Sequence, residues 1–313
     1  MIQAPVVACG GANADIHSRL LAPARMRDSN PGAVSFSAGG VARNIAENIA
    51  RLGFPCRLLS AVGADAFGQM VLAACRTAGI DTDAVYRSKA ESTSVYLDIN
   101  DCAGDMLIAS SDMHILGTLP GTYFAEQEEL LSSAAAIIAD GNLSEQQLSA
   151  LLSAKGSTPV CVDPVSAAKA PRFLPFLSAI DTIKPNRLEL EVLSGLPCES
   201  DTAIREAAEA VLKRGVHRIA VSLGAKGCYY ADTDGAAFFA SLPPVACPVS
   251  ATGAGDSFTA GLIAGLLLGY TPQKAVSLAL GCGALTVQSA LTVSPSLSLS
   301  AALAAASNLK RSF

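Results

Sequence analysis

The pentapeptide Thr252-Gly-Ala-Gly-Asp256 stands directly before an apolar stretch running from Ser257 to Leu268. Small residues at the start of a helix leave its first N–H groups open, and geometry and dipole there both favour a bound anion. A phosphate fits such a place. Asp256 falls in the first helical turn, where a carboxylate is also favoured simply as a helix-terminal acid.

Three further segments combine glycine or amide residues with charge. Ser222-Leu-Gly-Ala-Lys-Gly227 lies between two predicted strands, where Gly224 and Gly227 either let the backbone approach a ligand or supply the positive φ of a tight turn. In Lys184-Pro-Asn-Arg-Leu-Glu189, Asn186 is placed to cap a helix with Glu189 completing the cap, or Glu189 is placed to bind a metal ion through water. Near the N-terminus, Gly10-Gly-Ala-Asn-Ala-Asp15 follows the first strand and Gly39-Gly-Val-Ala-Arg-Asn44 precedes the first long helix. Ligands of open α/β sheets bind beyond the carboxyl ends of strands, so Asp15 and Asn44 are candidates to hold vicinal hydroxyls. Neither segment is G-x-G-x-x-G, and G-x-x-x-x-G-K-[ST] is absent, which excludes the dinucleotide fingerprint and a Walker-type site.

The elements that must position these residues alternate between short β-branched runs and amphipathic stretches, the pattern of crossover units on a largely parallel sheet. Strands are expected at Val6–Cys9, 56–62, 136–139, 160–162, 182–183, 218–223 and 228–231. Helices are expected at about 44–52, 67–78, after the capping box Ser144-Glu-Gln-Gln147, at 254–268 and from Thr271 to Val287. The rhythm changes at 94–100 and 105–109, which alternate in period two around the turn Asp101-Cys-Ala-Gly104. With 33–37 these runs predict a small sheet apart from the main one. Gly261, Gly265 and Gly269 suit close helix packing, and the last twenty residues read as a terminal helix or a frayed end.

The chain has 313 residues, a formal net charge of −5, 50% hydrophobic and 16% charged residues, enough for a packed α/β globule and unlike a disordered chain. Its acidity and the lack of a basic patch argue against a nucleic-acid polymer as partner; Lys310 and Arg311 are among the densest basic features. Nine cysteines without a C-x-x-C pair read as reduced thiols, several of them in apolar runs. The N-terminus Met1-Ile-Gln-Ala-Pro5 has no secretory pattern, and the apolar run 258–268 is too short to span a bilayer. A cytoplasmic enzyme is the expectation.

Together these segments resemble the ribokinase-like, or PfkB, family of sugar and nucleoside kinases. The first family signature is the Gly39-Gly40 pair followed by Asn44, Gly53 and Gly63. The second is Ser250-Ala-Thr-Gly-Ala-Gly-Asp256, which departs at Ala251, where the family carries Thr, Ser, Pro or Val. Asn186-x-x-Glu189 lies between the two. Within the family the chain is most similar to the bacterial members that act on pseudouridine, through 28–32, 39–46, Ser111-Asp-Met-His114, 162–166 with Lys169, and 184–189.

The resemblance implies a three-layer α/β/α sandwich with a mainly parallel central sheet, in one domain whose small β-sheet lid comes from about 10–40 and 85–115. It implies transfer of the ATP γ-phosphoryl group to the 5′-hydroxyl of pseudouridine. Asp256 would be the general base, and the N–H groups of Gly253, Ala254 and Gly255 the anion hole. Asn13, Asp15, Gly40 and Asn44 would bind the sugar, and Ser29, Asn30, Thr93, Met113 and Lys169 would be where the base is read. Asn186, Ser222, Gly224, Gly227 and Thr252 would line the ATP site, with Glu189 holding Mg²⁺ through water. His114 would be a lid or surface residue. Many relatives bind K⁺ beside an aspartate where Ser250 stands here, which leaves K⁺ open. A homodimer through the lid is also implied. A ribokinase or other nucleoside kinase is the nearest alternative reading, and a non-catalytic ligand-binding regulator a more distant one.

Overall fold

A computed structural model describes residues 4–307 and 310–312. Met1–Gln3, part of the N-terminal segment read above, and the side chains of Lys310 and Arg311 lie outside the described structure.

The strands are β1 Val6–Cys9, β2 Asn13–Leu20, β3 Gly32–Gly39, β4 Cys56–Leu59, β5 Ala61–Gly63, β6 Ile80–Asp81, β7 Tyr86–Ser88, β8 Val95–Asn100, β9 Met106–Asp112, β10 Ala136–Asp140, β11 Val160–Asp163, β12 Thr182–Ile183, β13 Arg218–Ser222, β14 Cys228–Asp232, β15 Ala237–Ser241 and β16 Lys310–Ser312. The α-helices are α1 Val41–Arg51, α2 Ala66–Thr77, α3 Glu128–Ser133, α4 Glu145–Ala154, α5 Arg187–Ser194, α6 Asp201–Leu212, α7 Ala254–Leu267, α8 Pro272–Thr286 and α9 Leu299–Ala305.

Ten strands form the central sheet in the order β16-β15-β14-β13-β12-β11-β10-β1-β4-β6. It is parallel from β6 to β13 and antiparallel from β13 to β16. Residues of one strand serve opposite cores, because successive side chains point to opposite faces. Val6 and Ala8 join a core with α1, α2, α7 and α8, whereas Val7 and Cys9 join one with α4, α5 and α6. A strand covered on both faces must be apolar throughout, which is why β1 reads Val-Val-Ala-Cys. This is the expected α/β/α sandwich.

The helix boundaries follow local chemistry. Helix α1 begins at Val41, three residues earlier than expected, because Gly40 takes φ +102 and brings the chain against Gly11. Ala42, Ile45, Ala46 and Ile49 then face the core at helical spacing. Helix α7 is buried from Ser257 to Gly265, and a Cβ at Gly261 or Gly265 would lie 2.7 Å from a Cα of α8. The first two glycines of that triplet therefore allow close packing, whereas Gly269 ends the helix with φ +66.

The separate sheet has the order β3-β2-β8-β9. Strand β2 was not foreseen, since its polar sequence Asn-Ala-Asp-Ile-His-Ser-Arg-Leu resembles a loop. Strand β15 was also missed, and the C-terminal segment contributes both a short helix and an edge strand.

Candidate active site

Beside β1 the chain order reverses, with β4 on one side and β10 on the other. A crevice outside the carboxyl ends of strands at such a point is the usual ligand site of open α/β sheets. Asp140 ends β10 here, fully buried, and accepts from the amides of Gly11 (2.8 Å), Ala42 (2.9 Å) and Asn142 (2.8 Å). Burial nevertheless pushes its carboxyl above the ordinary range. The contacts explain Gly10, where a Cβ would lie 2.3 Å from the Asp140 carboxyl. Asp140 ties the loop after β1 to the start of α1.

Asp256 lies in the first turn of α7, part-buried, with Oδ2 accepting from Asn44 Nδ2 at 2.9 Å. Burial, with the Asp163 and Asp140 carboxylates, pushes its pKa up to about 7, against the Asn44 hydrogen bond and the Lys184 charge. A base poised near neutrality is what proton abstraction at physiological pH requires.

The helix start beneath Asp256 is built by conformation. Gly253 is in the left-handed region (φ +79), and a Cβ there would lie 1.9 Å from the Thr292 carbonyl oxygen. The following amides belong to the first turn, which has no intrahelical acceptors. Of the expected anion-binding amides, that of Ala254 makes a long 3.3 Å bond to the Ala251 carbonyl. Ser250 Oγ accepts from the Thr252 amide at 3.2 Å, so the Ser250 side chain takes part in shaping the loop.

Lys184, whose role the sequence does not announce, belongs to this centre. Its Nζ is 3.0 Å from Asp163 Oδ2, both groups are buried, and a Cβ at Gly255 would lie 3.3 Å from that Nζ. Burial opposes its charge, but Asp163, Glu189 and Asp256 together hold the ammonium pKa up. Asp163 also accepts from Thr259 Oγ1 at 3.1 Å. The available signal was an acid or lysine ending an apolar run, as in Ala136–Asp140, Val160–Asp163 and Thr182–Lys184.

Of the expected sugar-binding residues, Asp15 and Asn13 are joined by a 2.6 Å bond from Asn13 Nδ2, and burial raises the Asp15 carboxyl. Gly40 caps α1, and Asn44 is bound to Asp256 as described. The expected base-reading residues are more scattered. Thr93 is buried with its hydroxyl donating to Asp65 at 2.7 Å, and Asn30 closes its own exposed turn through Arg25 and Asp28. Ser29 is exposed in the same turn, while part-buried Met113 follows β9. Lys169 donates to Asn142 Oδ1 at 2.6 Å, and burial lowers its pKa. His114 is exposed against Glu91 and Asp112, as expected of a surface residue.

Asn186, Ser222 and Gly224 line a single cleft of about 370 Å³, with Leu188, Leu223 and Lys226. Gly227 does not line it; it takes φ +91, where a Cβ would lie 2.0 Å from the Ala240 carbonyl oxygen. Asn186 and Glu189 form a full capping box on α5, with Glu189 accepting from the Asn186 amide (2.8 Å) and Nδ2 (2.7 Å). Capping does not exhaust this carboxylate, because each oxygen keeps a lone pair for water. Among the described residues no group of three or more His, Cys, Asp or Glu gathers around a metal position. A hydrated Mg²⁺ needs only one or two carboxylates when phosphates supply the rest, so Glu189 fits that ion.

The profile of the family described as pfkB family carbohydrate kinase matches residues 5–298. A pseudouridine kinase of Escherichia coli K12 is 38% identical over 294 residues, covering 94% of each chain. An uncharacterized sugar kinase of the same organism is 35% identical over 297 residues, 95% of this chain and 82% of that relative. Arabidopsis thaliana ribokinase complexed with ribose and ATP superimposes with a TM-score of 0.86 over 98% of this chain and 99% of that one, at 23% identity, a likeness of fold. Fold and site together define an ATP-binding phosphotransferase with an alcohol group as acceptor. The chain belongs to the pfkB family of carbohydrate kinases.

Proposed function

We propose that this kinase transfers the γ-phosphoryl group of ATP to the 5′-hydroxyl of pseudouridine, giving pseudouridine 5′-phosphate and ADP. The observation that carries the chemistry is Asp256 at the start of α7, bonded to Asn44 and under the charge of the Lys184 ammonium. The similarity to the E. coli pseudouridine kinase over 94% of the chain supports the substrate.

Phosphoryl transfer needs alignment and stabilisation of spreading negative charge more than covalent chemistry. Asp256 takes the proton of the attacking hydroxyl at its carboxylate. The first-turn amides at Gly253–Gly255 and the Lys184 ammonium face the charge that accumulates on the transferring group. Asn13, Asp15, Gly40 and Asn44 hold the sugar, and the cleft of Asn186, Ser222 and Gly224 takes the nucleotide, with Gly227 and Thr252 as further nucleotide-binding candidates. Glu189 would hold Mg²⁺ through water, and that ion neutralises phosphate charge when bound. Ser29, Asn30, Met113 and Lys169 remain the candidates for reading the base. Thr93 acts instead through the Asp65 cap, where it shapes the start of α2.

The four-stranded sheet serves as the lid that excludes water, which would otherwise compete as acceptor. Its edge strands expose Val34 and Phe36 on β3 and Ile108 on β9, each more than half exposed. Apolar side chains on open sheet edges favour a partner, here a second copy of the chain. A cytoplasmic location fits a free nucleoside and ATP as substrates.

The test is ADP release, with ATP and Mg²⁺, from pseudouridine, uridine, adenosine, ribose and fructose in parallel. Turnover of pseudouridine well above the other four supports the assignment. Preference for ribose or adenosine overturns the substrate, an outcome that the 35% identical sugar kinase keeps in view. No turnover of any acceptor favours a regulator that binds without catalysis.

A further inference from the structure

Asn44 offers an oxygen on one side and an NH₂ on the other, and a half-turn of the amide exchanges them at almost no steric cost. Only one orientation lets it donate to Asp256. What selects that orientation lies one residue away. Arg43 is 5% exposed, and its Nη1 donates both to Asn44 Oδ1 (3.0 Å) and to the Ala38 carbonyl (3.0 Å). A guanidinium has donors only, so the atom of Asn44 that faces it must be the oxygen.

We propose that Arg43 is a positioning residue for phosphoryl transfer, holding the Asn44 amide with Nδ2 toward Asp256. This rests on the kinase reading above. Arg43 is itself fixed by Glu47 one turn on, through Nη2 to Glu47 Oε2. Glu47 Oε1 in turn accepts from Arg51 Nε (2.9 Å) and Nη2 (2.6 Å). The relay therefore runs along one side of α1 from part-exposed Arg51 to the reacting carboxylate. A buried guanidinium is retained only when it is paired: Nη2 meets Glu47 and Nη1 meets Asn44 and Ala38, while Nε has no partner among the described residues.

Without Arg43 the amide is free to turn its oxygen toward Asp256. Two acceptors then face each other, and the contact is relieved only when Asp256 carries a proton. The other charged groups acting on Asp256 are Lys184 after β12, Asp163 at the end of β11 and Asp140 at the end of β10. None of these three is hydrogen-bonded to Arg43, but the Arg43 charge also acts on Asp15, so the Asn44 contact is isolated by a double-mutant cycle rather than by a single variant.

The test is a double-mutant cycle with Arg43→Met, Asn44→Ala and both together, reading kcat against pH for the best acceptor. Each single change should lower kcat at neutral pH by about tenfold or more and move the acid limb upward, as loss of a well-placed polar contact at a general base does. Adding Arg43→Met to Asn44→Ala should then change little, because interaction through a shared partner is non-additive. An equal loss in both backgrounds overturns the proposal. Arg43→Lys, which keeps charge and donors, should recover part of the loss if Arg43→Met folds poorly; no recovery in a folded Lys variant counts against the role. A second readout needs no turnover. The side-chain amide signal of Asn44, assigned by its loss in Asn44→Ala, should shift as pH passes about 7 in the native chain and shift at a higher pH in Arg43→Lys/Glu47→Gln or Arg43→Met. An unchanged response in the variants contradicts the inference even if no acceptor is phosphorylated.

Discussion

Asn44 and Asp256 are 212 residues apart in sequence and 2.9 Å apart in space. One belongs to the first helix after β1, the other to the N-terminus of α7. Their contact joins the predicted sugar-binding segment to the predicted anion-binding loop, so under the proposed function a hydroxyl held at Asn44 would also be presented to Asp256.

Catalysis should depend on pH through this carboxylate. Asp256 works as a base only when ionised, and its pKa is pushed up to about 7, chiefly by burial. Kinase turnover at saturating substrates should therefore fall by about tenfold per pH unit below neutrality. A steady-state profile that stays flat down to about pH 5 would remove Asp256 from the role of base.

The same shift sets a stability trade. The folded-state pKa exceeds the unfolded value of 3.8, so folding favours the protonated acid. The penalty is absent below the unfolded pKa, grows as pH rises between the two, and is complete above about 7. Asp256→Asn should unfold at higher urea than the native chain at pH 8, by on the order of 1–3 kcal/mol, with the gap closing toward pH 4. It should also lose about 10²–10⁴-fold in turnover while retaining nucleoside binding. Equal stability at both pH values would contradict the burial argument.

Lys184 and Asp163 should behave as a coupled pair. Lys184→Met leaves the Asp163 carboxylate buried without its cation, which should cost about 3 kcal/mol. Asp163→Asn in the same chain should restore much of that loss, although the hydrogen bond from Thr259 stays to be satisfied. Removing Lys184 should also move the acid limb of turnover upward, since its charge holds the Asp256 pKa down. Chemical denaturation of the single and double variants, with their pH profiles, checks both parts.

The exposed side chains of Val34, Phe36 and Ile108 predict self-association through the small sheet. Sedimentation should report a dimer for the native chain and a monomer for Phe36→Asp. A native chain that sediments as a monomer at tens of micromolar concentration would refute the interface; an unshifted dimer would place it elsewhere.

Much of the site was legible because its residues do unusual local work. Gly40 and Gly253 hold positive φ against neighbouring backbone, Asn186 and Glu189 form the capping pattern their spacing suggests, and Asp256 sits in a first helical turn. Asp140, Asp163 and Lys184 were harder to assign. Each ends an apolar run in a different strand, and only the order of strands in the sheet brings them beside Asp256. Strand β2 escaped because it is half-buried and polar, its identity as a strand resting on pairing with β3 and β8. Thr93 and Asn30 have polar groups already engaged, Thr93 on Asp65 at the start of α2 and Asn30 within its own turn, which their positions in the sequence do not announce.

The most direct test is a competition in which the chain receives ATP, Mg²⁺ and equal amounts of pseudouridine and uridine, with each product followed by phosphorus magnetic resonance. The account predicts that pseudouridine is consumed first and that the new phosphate couples to the 5′ protons of its ribose. Phosphorylation of uridine at a comparable rate, or of any hydroxyl other than the 5′, would contradict it.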